Sequence, residues 1–170
     1  MRLALDIETN MAHDTIHLCV TQDIDTGEVR VWKAPNGLWD YLKDATLIVA
    51  HNGIGFDFPI LNRLWSTKIG LKQGYDTLVV SRLLEPTREK GHSLEAWGNE
   101  LGKEKLDYAK VWSWIMGRPE EYSGESFDKP IADLLEHYCV RDVAVLRDLF
   151  VRSEEHTSEL QSQSTISYAV

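Results

Sequence analysis

The chain has 170 residues, of which 43% are hydrophobic and six are tryptophan, so its length and composition fit one domain with a substantial core. Its 27 acidic and 18 basic residues give a formal net charge of −9. That charge argues against a freestanding, high-affinity nucleic-acid binder, because phosphate contacts need Lys and Arg, unless metal ions and another domain supply the positive charge. The two cysteines lack metal-ligand spacing and no apolar run is long enough to span a membrane, so we expect a soluble protein from a reducing compartment.

The first ten residues, MRLALDIETN, place two carboxylates at the end of an apolar run. Apolar residues alternate with period two from 3 to 8, which predicts a β-strand with Asp6 and Glu8 on one face, about 6–7 Å apart. Two like charges on one face repel each other. A divalent cation is the usual way to offset that repulsion, so this strand predicts a metal site.

Further strands and a short helix follow in the next forty residues. Segments 15–21 and 28–33 predict two strands joined by a polar turn, giving an antiparallel meander with the first strand. A short helix is expected near 38–42. The continuous apolar run TLIVA at 46–50 predicts a strand that is buried on both faces.

The rest of the chain alternates between helical patterns and irregular segments. Helices are predicted over 58–65, 76–84 and 93–101, and 102–127 is predicted to be irregular with a helical middle. The longest helical pattern spans 128–151. Together these elements predict an α/β fold whose mixed sheet has three antiparallel strands, then parallel strands, with helices packed on it.

Two more acidic positions follow in the sequence. Asp57 ends the segment HNGIGFD and is expected at the start of a helix, where a lone carboxylate is more often only a partner of the helix dipole. Tyr138 and Asp142 are four residues apart and share one helix face, which taken alone fits a structural hydrogen bond. Taken together with the first strand, the segment that ends at Asp57 and the helix that carries Asp142 predict a set of carboxylates that lie close together in the fold. Such a set can hold two divalent ions for phosphodiester hydrolysis, with a tyrosine hydroxyl orienting the attacking water.

Three motifs in this order match a known family. DIET, NGIGFD and YCVRD resemble the motifs of DEDD-type 3′–5′ exonucleases, which are proofreading nucleases with a ribonuclease H-like fold. The stretches DTLVVSRLL at 76–84 and GHSLEAWGNELG at 91–102 further resemble the exonuclease domain of T7-like phage family A DNA polymerases. The resemblance covers 1–151, so we expect that range to form the exonuclease domain.

This resemblance implies a role for each matching position. Tyr138 corresponds to the water-orienting tyrosine, and Thr9 and Asn52 correspond to positions near the terminal nucleotide. The carboxylates implied to bind two Mg²⁺ or Mn²⁺ ions are Asp6, Glu8, Asp57 and Asp142.

The resemblance also implies a substrate and a context. The expected reaction releases 5′-mononucleotides from single-stranded or frayed 3′ ends of DNA. The expected partner is a C-terminal polymerase region in the same full-length protein, with no membrane involved. The expected location is the cytoplasm of a phage-infected bacterial host.

Three alternatives stay open. A sister subfamily uses His-x4-Asp in its third motif, and His137 with Asp142 has that spacing, although helix geometry favours Tyr138 because five residues rotate His137 about 140° from Asp142. An RNA-processing exonuclease of the same fold would use the same chemistry. A catalytically silent nucleic-acid-binding module is the third alternative.

The composition changes from Arg152 onward. RSEEHTSELQS, followed after a short gap by ISYAV, resembles an in-frame translation of a common sequencing-library adapter. We therefore expect 152–170 to be a non-native polar tail without function, and the natural protein to continue differently after Val151. A disordered polar tail is the simpler interpretation of the same composition.

Overall fold

The structure is a computed structural model that describes residues 1–103 and 131–167. Its strands are β1 (Arg2–Thr9), β2 (Ile16–Asp23), β3 (Val29–Trp32), β4 (Leu47–Ala50) and β5 (Gly74–Asp76). Its helices are α1 (Leu38–Leu42), α2 (Asp57–Leu64), α3 (Thr77–Leu84), α4 (Leu94–Glu100) and α5 (Ile131–Ser167).

The five strands form one mixed sheet in the order β3-β2-β1-β4-β5. The three strands β1 to β3 form the antiparallel meander, whereas β4 pairs in parallel with β1 and with β5. Ala4 lies opposite Val49, and Ala50 lies opposite Asp76. Because parallel strands point the same way, β1, β4 and β5 all end at one edge of the sheet.

Alternation along β1 divides the core into two layers. Leu3, Leu5 and Ile7 pack on one face together with apolar residues of α1 and α2. Ala4 lies on the other face, where it joins a cluster that includes Cys139 of α5. Asp6 and Glu8 lie two and four residues after Ala4, on the same face of the strand, so both carboxylates are directed to the side covered by α5.

Most of the predicted elements are confirmed within one or two residues. The sequence missed β5, since three residues are too few to show a period. The expected irregular segment 102–127 lies almost entirely outside the described residues. Within the parts of the chain that the structure describes, no helix is long and apolar enough to cross a membrane.

The last helix is longer than the sequence predicted. We expected it to end at Val151, but α5 continues to Ser167. The segment after Val151 contains no Gly or Pro to stop a helix, and its first residues contact the rest of the protein. Arg152 pairs with Glu100 at 2.9 Å, and Glu154 pairs with Arg2 at 2.8 Å. The structure describes this segment as helical up to Ser167, which disagrees with the simpler interpretation as a disordered tail, and its non-native origin stays a prediction.

The turn after β4 is packed too tightly for a larger residue, which gives a first test. A Cβ added at Gly53 would meet the Cβ of Ala50 and lie 2.9 Å from Cζ of Phe58, whereas one added at Gly70 meets nothing within 4 Å. We expect Gly53→Ala to lower the free energy of unfolding by about 1–3 kcal/mol through overpacking. Urea denaturation measures this, with Gly70→Ala as the matched control. Equal stabilities of the two variants would contradict the described packing.

Candidate metal centre

The end of β1 supplies the first two carboxylates. Asp6 and Glu8 are half-buried and lie on the same face of the strand, opposite Val20 and Leu18 of β2. β1 is the central strand of the sheet, so both side chains lie under the helix layer rather than at an outer edge. The strand that the alternation predicted is thus the element that sets their common direction.

The third carboxylate comes from the turn that leads from β4 into α2. Asp57 is the first residue of α2 and is only 2% exposed. Its Oδ1 accepts a hydrogen bond of 3.2 Å from the backbone N–H of Ile7, which ties the start of α2 to β1 between Asp6 and Glu8. Burial is the main cause that raises the pKa of Asp57; the backbone N–H groups of Asp57 and Ile7 lower it, the charge of Asp76 raises it, and the net result is a pKa of about 7.

Helix α5 supplies the remaining groups. Tyr138 is hydrogen-bonded to the side chain of Asp142, and its pKa is raised by burial and then by the charges of Asp142, Glu8 and Asp6. The phenol therefore keeps its proton at neutral pH. His137 is exposed and lines a surface pocket on another face of α5 with Asp133, Glu136 and Val140, so the structure brings Tyr138 rather than His137 to the carboxylates.

Three other carboxylates act electrostatically on Asp6. The pKa of Asp6 is raised well above its usual value, first by burial and then by the charges of Asp57, Glu8 and Asp142. Each of these charges has the same sign. The structure thus places Glu8, Asp57 and Asp142, from three separate parts of the chain, near enough to Asp6 for their charges to act on it, with Tyr138 hydrogen-bonded to Asp142.

Cys139 belongs to this cluster, although neither cysteine has metal-ligand spacing in the sequence. Its Sγ lies 3.3 Å from Oδ2 of Asp6, and the ligand atoms of Asp6, Glu8 and Cys139 all lie within 4.8 Å of one another. Burial raises the pKa of this thiol well above its usual value, so it stays protonated and donates to Asp6. Cys139 directly follows Tyr138, and this position in the sequence does not predict a contact with Asp6.

The two residues expected near the terminal nucleotide are close in sequence to the carboxylates: Thr9 follows Glu8, and Asn52 lies in the turn that leads to Asp57. Thr9 ends β1 and is buried, and its Oγ1 lies 2.9 Å from Nδ1 of His13. Asn52 is exposed in the turn after β4 and has a left-handed φ of 64°. Its backbone N–H donates to Asp76 at 2.9 Å.

The chemistry of this donor set fits divalent cations. Carboxylate oxygens are the ligands that Mg²⁺ and Mn²⁺ prefer, and a protonated thiol is a poor ligand for either. Raised carboxyl pKa values mark a place where negative charge is crowded and lacks compensation, which a bound cation would supply. Asp6, Glu8, Asp57 and Asp142 are therefore suited to hold metal.

The sequence of the chain is similar to those of two phage DNA polymerases. No protein-family model matches the chain. It is 30% identical to the DNA-directed DNA polymerase of Enterobacteria phage T3 over 91% of the chain, and 30% identical to that of Escherichia phage T7 over 89%. The resemblance to T7-like phage DNA polymerases is confirmed. The chain spans only about a quarter of the length of these relatives, 27% and 26% respectively.

A solved structure supports the fold. The family B DNA polymerase from the hyperthermophilic archaeon Pyrobaculum calidifontis matches 90% of the chain and 24% of its own length, with a TM-score of 0.56 and 18% sequence identity. With the strand order β3-β2-β1-β4-β5 and its three antiparallel strands, this confirms the ribonuclease H-like fold that the motifs implied.

The raised pKa of Asp57 predicts how stability depends on pH in a chelator. In the folded protein Asp57 holds its proton up to about pH 7, whereas in the unfolded chain it loses it near 3.8. The contribution of Asp57 to the free energy of unfolding should therefore fall as the pH rises from about 4 to 7, by up to about 4 kcal/mol. Asp57→Asn keeps an oxygen for the Ile7 N–H without the charge, so it should be more stable than the parent at pH 8.

Urea denaturation in a chelator at pH 4, 6 and 8 measures this difference. Asp133→Asn, an exposed site on α5, serves as the control and should follow the parent at each pH. An Asp57→Asn variant that is no more stable than the parent at pH 8 would show that burial does not penalise this carboxylate.

Proposed function

We propose that the chain is a metal-dependent 3′–5′ exonuclease domain that removes 5′-mononucleotides from DNA ends. The observation that supports this most strongly is the convergence of four carboxylates and Tyr138 where β1 and β4 end beneath α5. A cluster of like charges without metal costs folding free energy and gives the fold nothing in return. A hydrolytic metal centre explains why the chain nevertheless keeps it.

Each residue of the cluster has a defined part in this proposal. The residues that would hold two divalent ions are Asp6, Glu8, Asp57 and Asp142. When bound, such ions polarise a water molecule and stabilise the charge that develops on the phosphate. Tyr138 keeps its proton at neutral pH, so it orients the attacking water by hydrogen bonding and does not act as the base. Thr9 and Asn52 are placed beside the cluster in the chain and would contact the terminal nucleotide.

The proposed substrate is a single-stranded or frayed 3′ end of DNA, and the proposed role is proofreading. Both relatives are DNA-directed DNA polymerases that are much longer than this chain, so we infer that the domain acts beside a polymerase region in the full-length protein. The formal net charge of −9 fits this arrangement, because the polymerase region would provide much of the affinity for DNA.

A nuclease assay tests the proposal directly. With Mg²⁺ or Mn²⁺, the 170-residue chain should release unlabelled 5′-mononucleotides from the 3′ end of a 5′-labelled DNA oligomer, which is seen as progressive shortening of the labelled strand. A chelator should abolish the shortening. Asp6→Ala should lose at least about 100-fold in rate, since it removes a carboxylate at the centre of the cluster. Asp133→Ala, at an exposed position of the same helix layer, should keep the rate of the parent.

The same assay separates the alternatives. Faster degradation of an RNA oligomer of the same sequence would favour an RNA-processing exonuclease. Activity that survives the chelator or Asp6→Ala would refute the metal centre. Absence of any mononucleotide release with Mn²⁺ would favour a silent binding module.

The position of Tyr138 gives a separate prediction. Tyr138→Phe removes only the hydroxyl, so it should lower kcat by about 10- to 100-fold through loss of water positioning, with little change in KM. His137→Ala should leave both constants near the parent values, because His137 is exposed beside Asp133 and Glu136. Steady-state kinetics measures both variants. A large loss in His137→Ala with none in Tyr138→Phe would assign the third motif to the histidine.

A further inference from the structure

Asp76 is a buried carboxylate that receives four backbone hydrogen bonds. It ends β5, directly precedes α3 and is 5% exposed. As the N-cap of α3 it accepts from the N–H groups of Leu78 at 2.9 Å and Val79 at 3.4 Å. It also accepts from the N–H groups of Asn52 at 2.9 Å and Ile54 at 3.1 Å. A helix cap needs only the first two of these bonds.

The other two bonds join Asp76 to the turn between β4 and α2. Ala50 lies opposite Asp76 in the parallel pair, so this turn leaves the sheet beside the carboxylate. The backbone O of Asn52 accepts from the N–H groups of Gly55 and Phe56, which sets the local shape of the turn. Asp76 then fixes that shape relative to the sheet.

The four donors explain why a carboxylate is present here. Oδ1 accepts from Asn52, Leu78 and Val79, and Oδ2 accepts from Ile54. An amide side chain would present its own N–H groups to one of these donors, whereas an ionised carboxylate only accepts. A serine could cap α3 but has one short acceptor in place of two oxygens.

We propose that Asp76 is a positioning residue for the exonuclease reaction. It holds the turn 52–56 so that Asn52 lies where it receives the terminal nucleotide, whereas Asp57 is held separately by its hydrogen bond from the Ile7 N–H. The inference rests on the proposed function. It assigns to Asp76 no contact with DNA or metal; its effect passes through the backbone of the turn.

Asp76→Ser separates this role from helix capping. The hydroxyl can still cap α3, but the bonds to Asn52 and Ile54 are lost. We expect KM for a DNA oligomer to rise about tenfold while kcat stays within about threefold of the parent, because the loss of charge-assisted hydrogen bonds displaces a binding group. Asp76→Asn keeps one acceptor oxygen, so its KM should lie between the KM of the parent and that of Asp76→Ser.

Asn62 provides a matched control away from the cluster. Its Oδ1 accepts from the N–H of Ile69 at 2.9 Å and from Oγ1 of Thr67 at 2.7 Å, so it fixes the loop after α2 in a similar way. Asn62→Ala should lower stability and leave KM unchanged. A KM in Asp76→Ser within twofold of that in Asn62→Ala would overturn the proposal.

Amide hydrogen exchange tests the same inference without activity. In Asp76→Ser the amides of Asn52 and Ile54 should exchange at least about tenfold faster than in the parent, while that of Leu78 stays protected. Asp76→Asn disturbs the fold less and keeps one acceptor oxygen. In this variant one of the two amides, of Asn52 or of Ile54, should exchange faster than the other. Unchanged exchange at both turn amides would refute the role of Asp76. An inactive parent with this exchange pattern would refute the proposed function alone.

Discussion

Repulsion between buried and half-buried carboxylates is the constraint on which the rest of the structure depends. Asp6 is surrounded by the charges of Glu8, Asp57 and Asp142, and its pKa is raised by burial and by each of them. Charges in a low-dielectric interior interact far more strongly than in water. The neighbouring elements must therefore hold these side chains together against a force that favours separating them.

The two apolar layers supply that restraint. On one face of the sheet, Leu3, Leu5 and Ile7 pack on α1 and α2, which fixes the strand from below. On the other face, Cys139 and Val143 of α5 are fully buried. Cys139 directly follows Tyr138 in the sequence, and Val143 directly follows Asp142. Apolar packing thus fixes the helix rotation, and the helix rotation fixes where the polar groups point.

Hydrogen bonds complete the arrangement at the points where packing alone leaves freedom. The Ile7 N–H donates to Asp57, and the Cys139 thiol lies against Asp6, so two of the carboxylates have a fixed orientation before any cation binds. The bonds of Asp76 to the preceding turn have the same effect on the backbone that leads into α2. A site that is ordered in advance binds its ligand without an additional ordering cost.

The sequence predicted the parts of this site that follow from periodicity. Alternation in β1 gave the common face of Asp6 and Glu8, and a spacing of four gave the common face of Tyr138 and Asp142. Contacts between distant segments could not be predicted in this way. The bonds of Asp76 depend on the pairing of β4 with β5, and β5 is too short to show a pattern. The ion pairs that α5 makes beyond Val151, with Arg2 and Glu100, likewise join residues far apart in the sequence.

The central claim is that the carboxylates of β1, α2 and α5 jointly hold divalent cations. The most direct measurement is an anomalous difference map from crystals of this chain grown with Mn²⁺. We expect Mn²⁺ within about 2–2.6 Å of an oxygen of Asp6 and of an oxygen of at least one other carboxylate among Glu8, Asp57 and Asp142. Manganese bound only elsewhere, for example at Asp133 and Glu136, or no manganese at Asp6 at saturating concentration, would contradict it.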